Sequence, residues 1–238
     1  MKIVVIVRTR DEAKRIGKFC ESYKDADTII VSDGGSEDDT VSIASQYPNV
    51  VLRPFNERVE LKRGYWRNND AAHANFLIAQ SKEFSPDWLI YDDCDCRPNF
   101  LLRQDYRSIL ESATDKVIMA VRIYHWNEDE WFPKLSSPGG KMEASLWAWR
   151  ADLDLGFIDI PPAYELSLAG KKVEGNDLHR AGGVLDLMPP YCLLHYSWNE
   201  ETVAYKLKNY RESGFIPGFA HPLQYAGKKE PILDWMHE

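Results

Sequence analysis

The sequence predicts an α/β protein, with a mostly parallel sheet flanked by helices on both faces and folded as a single domain. Three observations predict it. Residues 2–7 carry an aliphatic run, unbroken from Ile3 to Val7, the pattern of a strand covered on both faces. From there to residue 98 strand and helix patterns alternate, as in sheets built from strand–helix–strand units. Polar turns rich in Asp, Arg and Gly (residues 8–12, 33–36 and 92–95) each follow a strand, at the ends where such sheets bind ligands.

In chain order, the first strand gives way at Asp11 to a helix with Ile16, Phe19, Cys20 and Tyr23 along one stripe. A second strand, Thr28–Ser32, stops in Asp33-Gly34-Gly35-Ser36. Ser36 with Asp39 resembles a capping box and opens a helix through Val41, Ala44 and Tyr47. A third strand spans Val50–Arg53, and Trp66–Lys82 reads as a longer helix with Ala72, Phe76 and Ala79 inward. The fourth strand, Asp87–Tyr91, ends in Asp92, Asp93 and Asp95. Further on, the patterns predict a helix over Asn99–Ser112, strands over Lys116–Tyr124 and Ala144–Arg150, and a strand within Gly182–Pro190. Between them, Glu128–Gly140 reads as a surface loop or flap. Leu193–Trp198 precedes a helix over about 200–213, which starts with acids and ends before Gly214. The tail after Ile216 is weakly patterned, and no repeat, low-complexity tract or linker divides the chain.

Composition bounds the function. The 238 residues are 44% hydrophobic and 28% charged, an ordinary globular mixture. A net charge of -8 without a long basic run disfavours extended nucleic-acid binding. A small patch of Lys62, Arg63 and Arg67 could still grip one phosphorylated ligand. Four cysteines include Cys94-x-Cys96, too tightly spaced for an ordinary zinc pair, so reduced thiols and a cytoplasmic setting are expected. The N-terminal apolar run is too short for a signal peptide core, and no stretch could cross a bilayer as an apolar helix, so an integral membrane segment is not expected.

The chemistry concentrates in Trp88-Leu-Ile-Tyr-Asp92-Asp93-Cys94-Asp95. The i, i+2 spacing predicts that Asp93 and Asp95 leave a strand on one side, with Cys94 opposite. Two neighbouring carboxylates repel unless something positive sits between them. Mn²⁺ or Mg²⁺ meets that need with oxygen ligands and brings substrate phosphates along. Taken alone, an isolated D-x-D is more often a solvated acidic turn.

Three blocks upstream change the weight of that motif. Val7-Arg8-Thr9-Arg10-Asp11-Glu12-Ala13 is similar to (V/I)-P-T-Y-N-E, and Ile29 to Thr40 is similar to I-I-V-V-D-D-G-S-T-D-G-T. Gly64-Tyr-Trp-Arg67-Asn68 is similar to G-x-x-x-A-R-N, and Asp93-Cys-Asp95 stands where D-x-D belongs. In order and spacing the chain resembles the family 2-like glycosyltransferases of the GT-A fold over about residues 2–98. It departs at Arg8, which takes the place of proline, at Gly34, which takes the place of a second aspartate, and at Cys94 and Cys96.

The resemblance implies a nucleotide-sugar half over residues 1–98 and an acceptor half over 99–238. Thr9, Arg10 and Glu12 with Asp33 and Gly34 would hold the nucleoside, Asp33 accepting from a base N–H. Arg67 would lie near the base or diphosphate, Asp93 would meet the ribose or the metal, and Asp95 would ligate the metal directly. The implied reaction moves a sugar from a nucleoside diphosphate sugar to a hydroxyl acceptor, inverting by family default. The cation offsets the charge on the departing diphosphate.

Residues 173–182 loosely resemble the family's later acidic motif, which implies Asp177 as general base with Glu174 second, ahead of Glu143, Asp152 and Asp154. Leu193-Leu-His195-Tyr-Ser-Trp198 resembles the C-terminal block of some bacterial lipopolysaccharide-type transferases, where His195 would complete the metal shell. A satisfied core or interface histidine is the competing reading. Trp126 and Trp131 are candidates to stack on an acceptor sugar, whereas Trp147 and Trp149 suit a core strand. The acceptor stays open among lipid-linked glycans, proteins, small molecules and modified nucleic acid. The rival readings are a sugar-nucleotide nucleotidyltransferase and a non-catalytic nucleotide-sugar- or glycan-binding module. The first calls for a Gly-rich basic loop after the first strand, which residues 8–13 lack.

Overall fold

The structure is a computed structural model that describes residues 1–60, 66–68, 70–125, 130–131, 144–160, 163–196, 230–231 and 233–236. The chain runs β1 (Ile3–Thr9), α1 (Ala13–Ser22), β2 (Thr28–Asp33), α2 (Thr40–Ala44), β3 (Val50–Pro54), β4 (Arg58–Glu60), β5 (Trp66–Asn68) and α3 (Asp70–Ser81). Then follow β6 (Trp88–Tyr91), β7 (Cys96–Pro98), α4 (Phe100–Ser112), β8 (Val117–Tyr124), β9 (Glu130–Trp131) and β10 (Ala144–Arg150). The rest is β11 (Leu155–Ile160), β12 (Ala163–Leu168), β13 (Lys171–Lys172), α5 (Asp177–Gly182), β14 (Val184–Leu187), β15 (Leu193–His195) and β16 (Glu230–Pro231).

Among the described residues one nine-stranded sheet dominates, in the order β3-β2-β1-β6-β10-β8-β15-β7, with β14 also on β8. The strands β3, β2, β1 and β6 are mutually parallel. β10 is antiparallel to both β6 and β8, so β8 runs in the same direction as β1. β14 pairs with residues 117–120 of β8 and β15 with residues 122–124, one above the other along the same side of that strand.

The aliphatic run explains the layering. Ile3, Val5 and Val7 pack on one face with Ile16, Phe19 and Tyr23 of α1 and Leu102 and Tyr106 of α4. Val4 and Ile6 pack on the other with Ala71, Ala74 and Leu77 of α3 and Leu155 and Phe157 of β11. A strand buried on both faces has no polar side to alternate, which is why its sequence is continuous rather than patterned. The mostly parallel α/β architecture is thus the observed one, and among the described residues no helix is long and apolar enough to cross a membrane.

Several local expectations give way. The helix expected from Trp66 starts at Asp70, because residues 66–68 ladder against β4 instead. Its buried residues are Ala71, His73, Ala74, Leu77 and Ser81, one position off the expected stripe, and Ala79 is exposed. The Ser36–Asp39 capping box does not form: the Ser36 hydroxyl donates to Asp33, and α2 is only five residues long. The three-stranded sheet β11-β12-β13 is an addition the sequence reading did not contain. Within the expected loop, β9 pairs with β16 from the weakly patterned tail. The remainder of that loop, the helix over 200–213, Trp126, Glu143 and Trp198 lie outside the described residues.

Candidate functional site

Parallel pairing brings three polar turns to one edge of the sheet. Thr9 registers with Asp33 and Ile6 with Tyr91, so the turns after β1, β2 and β6 emerge together. β8 runs the same way and delivers Arg122 and Tyr124, while β15 sets His195 between Tyr124 and Cys96. A cleft of about 340 Å³ lies there, lined by Arg8, Thr9, Arg10, Glu12, Asp70, His73, Asp93, Cys94, Asp95 and His195.

The three aspartates after β6 live in three environments. Asp92 is fully buried and accepts from the Tyr23 hydroxyl (2.9 Å), which in turn accepts from Trp147 Nε1 (3.1 Å). Burial pushes its carboxyl up to about 7; Asp93 adds to the rise, against the nearby Arg122. Asp93 faces the cleft with a guanidinium on each oxygen: Arg8 Nη2 at 3.3 Å from Oδ1 and Arg122 Nη1 at 3.7 Å from Oδ2. Burial there also opposes ionisation, yet Arg8 and Arg122 hold the carboxyl below its ordinary value. Neither side chain leaves a strand, because β6 ends at Tyr91 and a turn closed by Cys96 N–H donating to the Asp93 carbonyl (2.8 Å) carries Asp93 to Asp95. Cys94 is nevertheless the inward residue of that turn.

Asp95 belongs with His195. Asp95 Oδ1 lies 3.6 Å from His195 Nε2, and the Tyr196 N–H donates to the Asp95 carbonyl (2.8 Å), tying the turn to the end of β15. Ligand atoms of Asp95, Cys96 and His195 all lie within 4.8 Å of one another, and Asp93 is not in that group. Cys96 is fully buried, and burial pushes its thiol well above the ordinary value, whereas Asp95 and His195 line the cleft. The cleft-lining pair offers a carboxylate oxygen and an imidazole nitrogen, a set that suits Mn²⁺ better than the oxygen-demanding Mg²⁺. The Tyr124 ring packs edge-on against His195, with ring centroids 4.7 Å apart.

The turns after β1 and β2 are laced together. Asp11, at φ 55°, accepts from the Glu37 N–H (2.8 Å), and Glu12 N–H donates to Thr40 Oγ1 (2.7 Å). Glu12 itself pairs with Arg15 at 2.8 Å. Asp33 accepts from the N–H groups of Gly35 (3.0 Å) and Ser36 (2.9 Å), closing its own turn. That closure puts Gly35 at φ 86°, a conformation glycine adopts without steric cost. Asp33 and Gly34 are therefore beside the cleft, not among its lining residues. Arg67 sits on β5, paired across to Val59, and its side chain lies outside the described residues.

Four residues of this edge were not picked out from sequence as site residues: Arg122, Tyr23, Asp70 and His73. A charge inside the apolar strand 117–124 is the signal that could have found Arg122, since a buried charge requires a partner. His73 is buried, shares a 2.7 Å hydrogen bond with Ser32 Oγ and stacks flat on Phe55 with ring centroids 4.1 Å apart. Burial, with Arg8 adding, pushes it down to about 4, so the ring is neutral at physiological pH.

Asp177 and Glu174 are not brought to this edge. Val184 registers with Val117, so α5, which precedes β14, lies beyond the start of β8, while the cleft lies beyond its end. A strand from Val117 to Tyr124 separates the two edges by roughly 23 Å, at about 3.3 Å per residue. Asp177 accepts from the Glu174 N–H (3.0 Å) and pairs with Arg180 (3.1 Å), the work of an acid at a helix start. Asp152 is on the same far edge, paired with Lys116 at 2.6 Å.

Residues 4–158 match the family model described as Glycosyl transferase family 2. No curated protein matches the chain. Among solved structures, S. aureus TarS 1–349 superposes with a TM-score of 0.53 at 15% identity, over 94% of this chain and 68% of that one. The same fragment in complex with UDP-GlcNAc gives 0.40 at 19% identity, over 55% of this chain and 39% of that one. Glucosyl-3-phosphoglycerate synthase from Mycobacterium tuberculosis, in complex with Mn²⁺, UDP and glucosyl-3-phosphoglycerate, gives 0.43 at 15% identity, over 63% and 57%. The matched region thus spans about two-fifths (39%) of the ligand-bound TarS chain.

Proposed function

The chain belongs to glycosyl transferase family 2, and on that premise we propose that its cleft binds a nucleoside diphosphate sugar and a divalent cation and transfers the sugar to a hydroxyl acceptor. Its fold is the GT-A type. The observation that carries the reading is the joint placement of Asp95, His195 and Arg8 around one cleft at the carboxyl edge of the sheet.

In this reading Asp95 and His195 hold the cation, Mn²⁺ before Mg²⁺. Bound there, the cation would neutralise charge on the diphosphate as it departs. The turn Thr9–Glu12 supports the nucleoside from below, and Asp33 keeps that turn in shape by closing the neighbouring one. Asp93, held between two guanidiniums, is oriented to accept hydrogen bonds from donor hydroxyls rather than to ligate the cation. Asp177 and Glu174 stand across the sheet from the cleft, so the proton of the acceptor hydroxyl goes to another base.

Calorimetric titration with UDP-, GDP- and dTDP-linked sugars, with and without Mn²⁺, tests the reading. Micromolar to millimolar binding of at least one donor, strengthened by Mn²⁺, is expected; no binding of any of them overturns it. Inversion is the further expectation, read from the anomeric proton coupling of the product.

A further inference from the structure

Resting on that reading of the cleft, we propose that Arg8 is a diphosphate-binding residue: it exchanges its contact with Asp93 for a donor phosphate and shares the cation's task of neutralising it. Arg8 follows five buried aliphatic residues of β1 and lines the same cleft as Asp95 and His195. A guanidinium carries five N–H donors in a planar fork that suits phosphate as well as carboxylate, so it can exchange one for the other.

Among the described residues, its contacts with Asp70 and Asp93 are unequal. Nη1 lies 2.9 Å from Asp70 Oδ1 and also donates to the Asp70 carbonyl, while Nη2 lies 3.3 Å from Asp93 Oδ1. Asp70, at the start of α3, is the anchor, and Asp93 is the weaker contact and the one to yield. The Tyr91 ring, its centroid 5.7 Å from the Arg8 Cζ, supports the guanidinium from beneath.

Yielding is cheap because Asp93 is doubly covered. Its second oxygen faces Arg122, which belongs to β8 and is not among the cleft-lining residues. When Arg8 turns to a phosphate, Asp93, a half-buried carboxylate, keeps that cation as its countercharge. A cleft edged by Glu12, Asp70, Asp93 and Asp95 would otherwise repel a diphosphate wherever the Asp95–His195 cation does not reach. Arg8 and Arg10 are the arginines that line the cleft, and Arg8 is the one held between Asp70 and Asp93, at a position where proline would offer no donor at all.

The test is calorimetric titration of the full chain with UDP, GDP and dTDP and their parent nucleosides, each in Mn²⁺ and in EDTA. The wild type is expected to retain measurable binding of one nucleoside diphosphate in EDTA. Arg8→Met should weaken that metal-free binding roughly 10- to 100-fold, the loss of a charge-assisted hydrogen bond, and should leave nucleoside binding within about twofold. Arg8→Lys, a point charge without the fork, should fall between the two, and thermal melts of both variants check that the fold persists. Equal weakening of nucleoside and nucleotide would mark Arg8 as merely structural and overturn the proposal. So would unchanged metal-free binding in Arg8→Met, or wild-type binding that vanishes in EDTA; both of these leave the donor site itself standing. No binding of any nucleotide even with Mn²⁺ removes the donor site, and this role with it.

Discussion

The two edges of the central sheet hold the same residue types and use them differently. At the far edge Asp152 pairs with Lys116 and Asp177 with Arg180, each an isolated pair with one partner 64% or 75% exposed. At the cleft edge Asp92, Asp93, Arg8 and Arg122 form one connected group, and Asp92 is fully buried. Exposed pairs of the first kind contribute about 0–1 kcal/mol and are screened by salt. The connected group is more shielded from solvent, so its charges are screened less, and Asp92, the fully buried member, is the one most sensitive to the loss of a partner. Motif reading sees acids near bases at both edges. Burial and connectivity decide which acids are poised for chemistry.

The largest contrast between the edges should appear in metal-linked binding. Asp95→Ala, and separately His195→Ala, should abolish the Mn²⁺ enhancement of donor binding, because each removes a cleft-lining donor from the candidate cation group. Electron paramagnetic resonance of Mn²⁺ reports this without any turnover. Retention of tight Mn²⁺ binding in Asp95→Ala would move the metal site to other residues.

Stability should separate the edges next. Arg122→Met removes a mostly buried guanidinium that serves two carboxylates, and a loss of about 3 kcal/mol is expected by urea denaturation. That is the low end for a broken buried pair, since its contacts are 3.7 and 3.9 Å long and Arg8 still covers Asp93. Arg180→Met at the far edge should change stability by less than about 0.5 kcal/mol. Similar losses for the two variants would erase the distinction drawn here.

A smaller, pH-dependent effect comes from His73. Its folded pKa of about 4 lies below the ordinary 6.5, so between those values the unfolded chain binds the proton more readily than the native one. Stability therefore rises with pH through that window, and the term is fully present above about 6.5 and lost as pH falls towards 4. The shift corresponds to about 3 kcal/mol at most. Asp92, raised to about 7, works in the opposite sense, with stability lost as pH rises from its ordinary value towards 7. The difference between wild type and His73→Gln isolates the histidine: it should grow between pH 4 and 6.5 and then level off. A flat difference would mean that His73 titrates normally.

Legibility in the sequence followed the range of the interactions. The buried strand β1 and the acidic turn after β6 are local patterns, and both stand where the residues indicate. Arg8 and Asp93 are 85 residues apart, and only the register of β1 against β6 brings them together. His195 reaches Asp95 because β15 pairs antiparallel with β7, a contact that no short motif encodes. The strands β11 and β12 escaped notice because Gly156 and Pro161-Pro162 interrupt short alternating runs. Asp177 misled for a related reason: an acid in the first turn of a helix looks the same whether it serves the helix dipole or faces a substrate.

That ambiguity makes Asp177 the site of the smallest expected effect and a sharp test of the comparison. Asp177→Asn keeps a side-chain oxygen for the Glu174 N–H and loses only the exposed pair with Arg180. Across a sheet roughly 23 Å long, a neutralised carboxylate in a screened, exposed setting changes the potential at the cleft negligibly. Transfer rates with whichever donor binds should therefore stay within about twofold of wild type across pH 6–9, since a general base contributes 10²–10⁴-fold and its loss could not hide. A thousandfold fall in kcat with donor affinity intact would place the base on α5. It would also require the far edge to reach the acceptor through a rearrangement or a second copy of the chain.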